Sequence, residues 1–270
     1  MKAERCVELT VLDLVPFGQS ESDPLFFALR LSCPNWQQWT PGQFVMVRPL
    51  SFGLEIPWAR PLGICQLNSQ HLVCFFQVLG RGTRRLAQLR PADKVLVWGP
   101  LGNGFAMEEH KPTLLLAGGM GLAPFVGYVH RHPQPWNLNM LFGHRPPLDC
   151  YPVDSINERI TLDTLRETTP GDLDNLIFSL EERIKDNAEQ NGLILACGPL
   201  PFLRTVHGFV LKYKARAQLS LENRMACGVG ACLGCVTKVR KNNQDPSDQE
   251  TSYQQVCTRG PVFWAHDLVL

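Results

Sequence analysis

Four cysteines near the C-terminus constrain this chain more than any other feature. Cys227, Cys232 and Cys235 stand with four residues in the first gap and two in the second, and Cys257 follows after twenty-one more. Three thiolates this close in sequence must share one tight loop, and the fourth must return to it from a separate segment. C-x4-C-x2-C with a distant fourth cysteine is the plant-type [2Fe–2S] spacing, in which four thiolates converge on two irons. Gly228, Gly230 and Gly234 lie between the ligands. They let the backbone wrap closely and turn N–H groups toward sulfur. Structural zinc is the alternative for four cysteines, but it usually pairs them as C-x2-C knuckles, and here one pair is split by four residues.

The remaining composition narrows the class. A length of 270 residues predicts two or three domains, and 44% hydrophobic residues can fill real cores. A formal net charge of +1 offers no argument for nucleic acid or an anionic membrane as partner. The N-terminus M-K-A-E-R-C-V-E-L-T lacks an apolar signal core. The most apolar stretch, 114–129, is broken by Gly118, Gly119, Gly121 and Pro124 and falls short of a membrane span. A cytoplasmic location is therefore expected. Ten cysteines there point to thiols and metal ligands, not disulfides. Cys6, Cys33, Cys65, Cys74 and Cys150 read as small buried apolar residues.

Periodicity divides the chain. Runs at 7–15, 25–31, 44–47, 72–79 and 95–98, separated by T-P-G-Q and R-P-A-D-K, predict a small antiparallel barrel. After Phe105 the pattern changes. Buried-strand runs at 113–117, 138–142 and 193–196 alternate with helical stretches at 124–130, 173–188 and 201–212, which predicts a parallel α/β layer. The expected domains are a barrel over 1–106, an α/β domain over 107–216 and a small cluster domain over 217–270. The polar K-N-N-Q-D-P-S-D-Q-E stretch reads as an exposed hairpin or loop.

Two further constellations concern nucleotides. Arg60-Pro61-Leu62-Gly63 places an arginine, fixed by the following proline, at a strand start, where it can hold a phosphate or a polar ring edge. Gly82 and Thr83, in G-R-G-T, offer close backbone approach and a hydroxyl to a pyrophosphate. Each motif is also common as an ordinary turn. Gly118, Gly119 and Gly121 follow a buried strand and precede a helix, the geometry for phosphate at a helix N-terminus. The spacing is not G-x-G-x-x-G, and no acidic residue marks an NAD ribose at the expected distance. Cys197-Gly198-Pro199 closes a second buried strand; as an ordinary turn it would place Pro199 at the start of a helix.

Taken in order, R-P-L-G-I, G-R-G-T, G-P-L-G-N-G-F, A-G-G-M-G-L-A-P and A-C-G-P resemble the landmarks of the ferredoxin-reductase superfamily. The tail S-L-E-N-R-M-A-C-G-V-G-A-C-L-G-C-V, then V-C-T-R-G-P-V-F, resembles the electron-transfer subunits of class 1B dihydroorotate dehydrogenase. That resemblance implies a flavin barrel, a nucleotide domain and a cluster domain, with FAD, NAD and [2Fe–2S] as cofactors. It implies an FMN-containing dihydroorotate dehydrogenase catalytic subunit as partner, two of each in a heterotetramer, in pyrimidine biosynthesis. FAD contacts are implied at Arg60, Pro61, Leu62 and Gly63, at Phe75, Phe76 and Gln77, and at Gly82 and Thr83. The family usually has Ser where Gly63 stands and a basic residue where Gln77 stands. Its acidic, glycine-rich segment before A-C-G-P is missing between Asp149 and Gln190.

The expected function is electron transfer from the partner's flavin through [2Fe–2S] and FAD to NAD⁺. No catalytic acid or base is assigned, and His110, His130, His132 and His144 read as surface or structural residues. The apolar Val229, Ala231 and Leu233 of the cysteine loop are expected to face another protein, with Val262-Phe263-Trp264 extending that surface or packing the cluster domain. The alternatives are a reductase subunit serving a hydrogenase or a ferredoxin:NAD(P) oxidoreductase, and a non-catalytic iron–sulfur redox sensor.

Overall fold

The computed structural model describes residues 6–18, 25–36, 38–240 and 250–270. Six antiparallel strands close a barrel: β1 (Cys6–Phe17), β2 (Phe26–Ser32), β3 (Phe44–Pro49), β4 (Arg60–Leu67), β5 (His71–Gln77) and β6 (Lys94–Leu101), in the order β1-β2-β5-β4-β3-β6. Alternation along the strands drives this closure, because it gives each strand an apolar inner face. Leu29, Leu31, Val45, Val47, Ile64, Leu72, Val95 and Val97 fill the interior. β4 was not among the predicted runs. Its proline and glycine interrupt the apolar pattern, yet Arg60–Gly63 pairs in register with Phe44–Val47. The G-R-G-T segment is also more than a turn. It opens the short helix α1 (Arg81–Leu86), and Thr83 Oγ1 caps it by accepting from the backbone N–H groups of Leu79 and Gly80.

The second layer is a six-stranded sheet of order β14-β11-β10-β7-β8-β9. Its strands are β7 (Thr113–Gly118), β8 (Leu138–His144), β9 (Thr161–Arg166), β10 (Leu193–Cys197), β11 (Ala217–Ser220) and β14 (Val262–Trp264). Five are parallel and β14 pairs antiparallel at one edge. The helices are α2 (Ala123–Arg131), α3 (Asp154–Asn157), α4 (Pro170–Glu189) and α5 (Leu200–Lys212). α4 starts where the sequence punctuates it: Thr169 caps, Pro170 follows, and the Asp172 side chain returns to the Thr169 N–H. It buries Leu176, Leu180 and Ile184, a stripe at four-residue spacing. The sheet continues past residue 216, since β11 and β14 lie in the stretch expected to hold the cluster.

The rest of that stretch is a two-stranded ribbon, β12 (Val236–Arg240) with β13 (Thr251–Gln255), and a single helical turn, α6 (Val256–Arg259). The hairpin expected around K-N-N-Q-D-P-S-D-Q-E has both arms in place, and its residues 241–249 lie outside the described residues. Val262 and Phe263 are buried in the sheet core, so the apolar tail packs the domain and does not extend an outer surface. Among the described residues, no helix is long and apolar enough to cross a membrane.

The barrel and the sheet are seated directly on each other. Gly127 in α2 lies so close to β4 that a Cβ there would stand 2.6 Å from the Cys65 carbonyl oxygen. Asn103 joins the end of the barrel to the cluster segment: its N–H donates to Gly260 O at 2.7 Å and its Nδ2 to Arg259 O at 3.1 Å. Its Oδ1 accepts from Val262 N at 3.2 Å.

Candidate functional site

A cleft of about 310 Å³ opens between the barrel and the carboxyl edge of the sheet. The barrel supplies Phe44, Pro61, Leu62, Gly63, Phe75, Phe76, Gln77 and, from α1, Thr83; the sheet side supplies Met120, Ala123, Pro124 and Cys197. The connection leaving β11 closes the third side with Ser220, Leu221, Glu222, Asn223 and Met225. The walls are mainly apolar and aromatic, as suits a flat ring system with polar groups at its edge. Gly63, Gly80 and Gly119 each leave open space where a Cβ would be, so a ligand can approach the backbone there.

Arg60 and Gly82 do not line the cleft side by side but stack on one another. A Cβ on Gly82 would fall 2.0 Å from Arg60 Nε, so only glycine admits the guanidinium. Arg60 Nη1 donates to the Trp58 and Ala59 carbonyls. Burial, and then the charge of Arg81, lower the Arg60 pKa. Among the described residues neither arginine makes an ion pair. Two cations without a counter-charge beside an open backbone turn fit a pyrophosphate. The Thr83 hydroxyl is already engaged by the turn it caps.

The glycine run after β7 works by close approach. Gly121 has its Cα against β10, where a Cβ would stand 2.0 Å from the Cys197 carbonyl oxygen and 2.6 Å from Gly198 N. Gly118 packs less tightly, with a Cβ there standing 3.1 Å from side-chain atoms of Pro199 and Phe202. Gly119 takes φ +50 with open space before it. Gly118, Gly119, Gly121, Cys197, Gly198 and Pro199 thus gather at one point on the sheet edge, between β7 and β10.

Glu222 carries no signal in the sequence, being a lone acid between apolar and polar neighbours. In the fold its side chain lines the cleft, and desolvation by the surrounding walls raises its carboxyl pKa. The Cys197 thiol is also raised, by burial first and then by the charge of Glu222. Only the non-local return of β11 beside β10 brings these two side chains together.

The four cysteines, all free thiols, meet as two hydrogen-bonded pairs, Cys227 with Cys232 and Cys257 with Cys235. Positive φ at Gly228 (71), Gly230 (83) and Leu233 (58) folds the loop around them. Val229 N donates to Cys227 Sγ and Cys257 N to Cys235 Sγ, both at 3.4 Å. Burial alone would raise Cys227, but N–H groups of Val229, Cys232 and Ala231 and the Cys232 thiol hold it down to about 6. Burial and the neighbouring Cys235 push Cys257 the other way. Among the described residues, no three His, Cys, Asp or Glu side chains gather as one metal ion would require. Two pairs of thiols suit two irons with two thiolates each.

The loop is fastened to the barrel and to its own return. Trp98 Nε1 donates to Cys227 O at 3.0 Å, and Gln255 Nε2 to Gly230 O at 2.8 Å. Cys235 and Cys257 are buried, whereas Cys232 is exposed. Val229 and Leu233 are 55% and 62% exposed. The other cysteines divide. Cys65 and Cys74 are buried in the barrel as expected, but Cys6 is exposed and Cys33 and Cys150 are half-buried. Cys33 leaves β2 in a polar turn, where its thiol donates to Asn68 O. His144 is structural, stacked on Phe142 and bonded to Pro146 O.

Known proteins resemble the chain at three levels. The family model "Iron-sulfur cluster binding domain of dihydroorotate dehydrogenase B" matches residues 222–269. The electron transfer subunit of dihydroorotate dehydrogenase B (NAD(+)) from Caldanaerobacter subterraneus subsp. tengcongensis is 32% identical over 85% of this chain and 87% of its own length. That from Lysinibacillus sphaericus is 33% identical over 88% and 90%. Among solved structures, one of the NADH-dependent reduced ferredoxin-NADP oxidoreductase superposes with a TM-score of 0.76 at 21% identity, over 97% of this chain and 89% of that one. Ferredoxin-NADP+ reductase from Plasmodium falciparum superposes with a TM-score of 0.64 at 9% identity, over 79% and 96%. At those identities the two structures bear on the fold.

Proposed function

This chain belongs to the family of electron transfer subunits of dihydroorotate dehydrogenase B, and we infer that it carries electrons from an FMN-containing catalytic subunit, through [2Fe–2S] and FAD, to NAD⁺. It is an oxidoreductase subunit of pyrimidine biosynthesis, assembled two and two with its partner in the cytoplasm. One observation carries the route. The segment 220–225 forms a wall of the cleft and runs on, after Ala226, into Cys227. A single stretch of backbone therefore serves both cofactor sites.

A flavin exchanges a hydride with nicotinamide and single electrons with an iron–sulfur centre, which is the chemistry this subunit needs from its cofactors. The residues supply placement. Pro61, Leu62, Gly63, Phe75, Phe76 and Gln77 hold the flavin ring and its near chain. Arg60, with Gly82 and Thr83 shaping the turn, faces the pyrophosphate. Gly118, Gly119 and Gly121 admit the dinucleotide's phosphates, while Cys197, Gly198 and Pro199 border its nicotinamide. Glu222 lines the cleft beside Cys197 and faces the nicotinamide's carboxamide. Cys227, Cys232, Cys235 and Cys257 ligate the irons. The exposed Val229 and Leu233 place apolar surface beside that centre, where the partner would exclude water.

Purification without oxygen tests this directly. The expected preparation contains about one FAD and two irons per chain, the complement of one flavin site and one four-cysteine cluster. It oxidises NADH with artificial acceptors but leaves dihydroorotate untouched. Added to the FMN-containing subunit from the same organism, it confers NAD⁺-dependent dihydroorotate oxidation. Zinc in place of iron, or a stable complex that does not couple, would overturn the proposal.

A further inference from the structure

Two stretches of backbone join the cleft to the cysteines, and both are fastened where the chain leaves the barrel. One is 220–226, which leaves the cleft wall and enters the loop at Cys227. The other is 257–261, which leaves Cys257, turns through α6 and brings Pro261 to the cleft wall. Leu221 N donates to Pro261 O at 2.8 Å, and Ser220 pairs with Val262 where β11 meets β14. The two stretches therefore form one strip, bonded together at the cleft and ending in Cys227 and Cys257.

Residues 102–106 grip this strip from the barrel side. Asn103 commits its backbone N–H to Gly260 O, its Nδ2 to Arg259 O and its Oδ1 to Val262 N. Gly102 permits the approach, since a Cβ there would stand 2.3 Å from Gly260 O at a φ of +68. Gln43 Nε2 donates to Gly102 O at 2.7 Å and ties the grip to the barrel. On the other stretch, Ala106 N donates to Gln218 Oε1 at 2.7 Å. Asn103 is itself exposed. It fills no core, so what its side chain contributes is the bonds it makes.

Resting on the cofactor reading above, we propose that Asn103 is a positioning residue for electron transfer between the two sites, holding the Cys257 turn in place against the cleft wall. α6 is one turn long, and a helix that short has no stability of its own. On its N-terminal side, Val256 N and Cys257 N reach the carbonyl and thiol of Cys235. That tie moves with the cysteine loop. On its C-terminal side the Asn103 amide bonds the residues before and after Gly260-Pro261. That second tie refers the turn to the barrel, whose β3 and β4 wall the cleft. Without the amide, the turn stays fastened to its own loop but is free to drift from the cleft. Such drift matters because working groups must be held to within about 0.5 Å by their supporting contacts.

Amide hydrogen exchange and rapid reduction by NADH, both on the flavin- and iron-loaded chain, test this together. In Asn103→Ala, amide exchange across 258–262 quickens by about two- to tenfold, the range of one neutral hydrogen bond, while the β12–β13 ribbon exchanges as before. NADH bleaches the flavin at the wild-type rate. The paramagnetic resonance signal of the reduced cluster grows in about tenfold to a hundredfold more slowly, the scale of a misplacement near 1 Å. Asn103→Asp has nearly the size of asparagine but turns an oxygen onto the Arg259 carbonyl, so it matches the alanine variant in both readouts. Where the alanine variant loses iron, the aspartate variant carries the test. Unchanged exchange across 258–262, faster exchange with cluster reduction at the wild-type rate, or an aspartate variant that behaves as the wild type overturns the proposal alone. Loss of iron from both variants also overturns it, because Asn103 then serves the assembly of the cluster and not its placement. A wild type whose cluster NADH does not reduce overturns it together with the electron route.

Discussion

The cysteine loop takes three of its four thiols from one short run, 227–235, whereas the cleft draws its walls from β3, β4, β5, α1, the turn after β7, the end of β10 and the connection after β11. In the loop, glycines at positive φ and N–H groups aimed at sulfur do the shaping. In the cleft, shape comes from how closely separate elements approach. Gly121 against the Cys197 carbonyl and Gly82 against Arg60 are contacts between segments far apart or folded back on each other. A site built locally is expected to fail completely when one ligand is lost and to leave its neighbours intact. A site built from many elements is expected to change by degrees.

The largest effect should come from the loop. Cys232→Ser replaces a thiolate by a hydroxyl in the pair with Cys227, and the cluster should be lost outright while FAD content stays near one per chain. Cys74→Ser, which changes a thiol buried in the barrel core, should keep full iron. Iron analysis and the visible spectrum of both variants decide this. If both lose the cluster equally, the four-cysteine assignment is wrong. If Cys232→Ser also loses its flavin, the two sites are not separable in the way contrasted above.

Gly121→Ala addresses the cleft from the sheet side. A Cβ there would meet backbone at 2.0 and 2.3 Å, and backbone cannot yield as a side-chain tip can. Forcing an extra methyl into a packed contact costs about 1–3 kcal/mol, and for a chain of this size each kcal/mol lowers Tm by roughly 2–4 °C. The expected variant melts lower and binds NADH poorly, but keeps its iron signal. Unchanged NADH affinity with a lowered Tm would mean that the turn supports the fold without holding phosphate.

How much of each region was legible in the sequence follows from the same contrast. The turn geometry of the cysteine loop was legible, because its spacing and glycines lie on one run, 227–235. The barrel and the α/β alternation were legible from periodicity, but β4 was not, since Pro61 and Gly63 break the apolar pattern that the β3 partner restores. Of the cleft, the sequence offered motifs without their arrangement. It did not show that Gly82 serves Arg60, that Thr83 spends its hydroxyl on a cap, or that Glu222 lines the cleft beside Cys197. Those facts depend on which strands end next to each other. β11 and β14 went unread for a similar reason, being four and three residues long and recognisable only once their neighbours are in place.

The smallest expected effect sharpens the contrast most. Gly63 sits in β4 on the cleft wall, with nothing within 4 Å of where a Cβ would be. The resemblance implies Ser at this position, where this chain has Gly. Gly63→Ser adds a hydroxyl to open space, within a strand that pairs Phe44, and no atom has to move to admit it. Serine also loses less conformational entropy on folding than glycine in a strand, so the fold should not suffer. One neutral hydrogen bond contributes about 0.5–1.5 kcal/mol, which corresponds to roughly two- to tenfold tighter FAD. Flavin release measured by fluorescence under dilution would resolve that change, with iron content as the internal control. A comparable addition in the cysteine loop has no such room, because a Cβ on Gly228 would fall 2.5 Å from Met46 Cγ at a φ of +71. If Gly63→Ser leaves FAD affinity unchanged while the fold and cluster are intact, the flavin does not lie along β4 at residue 63, and the cleft's open position must serve another part of the ligand.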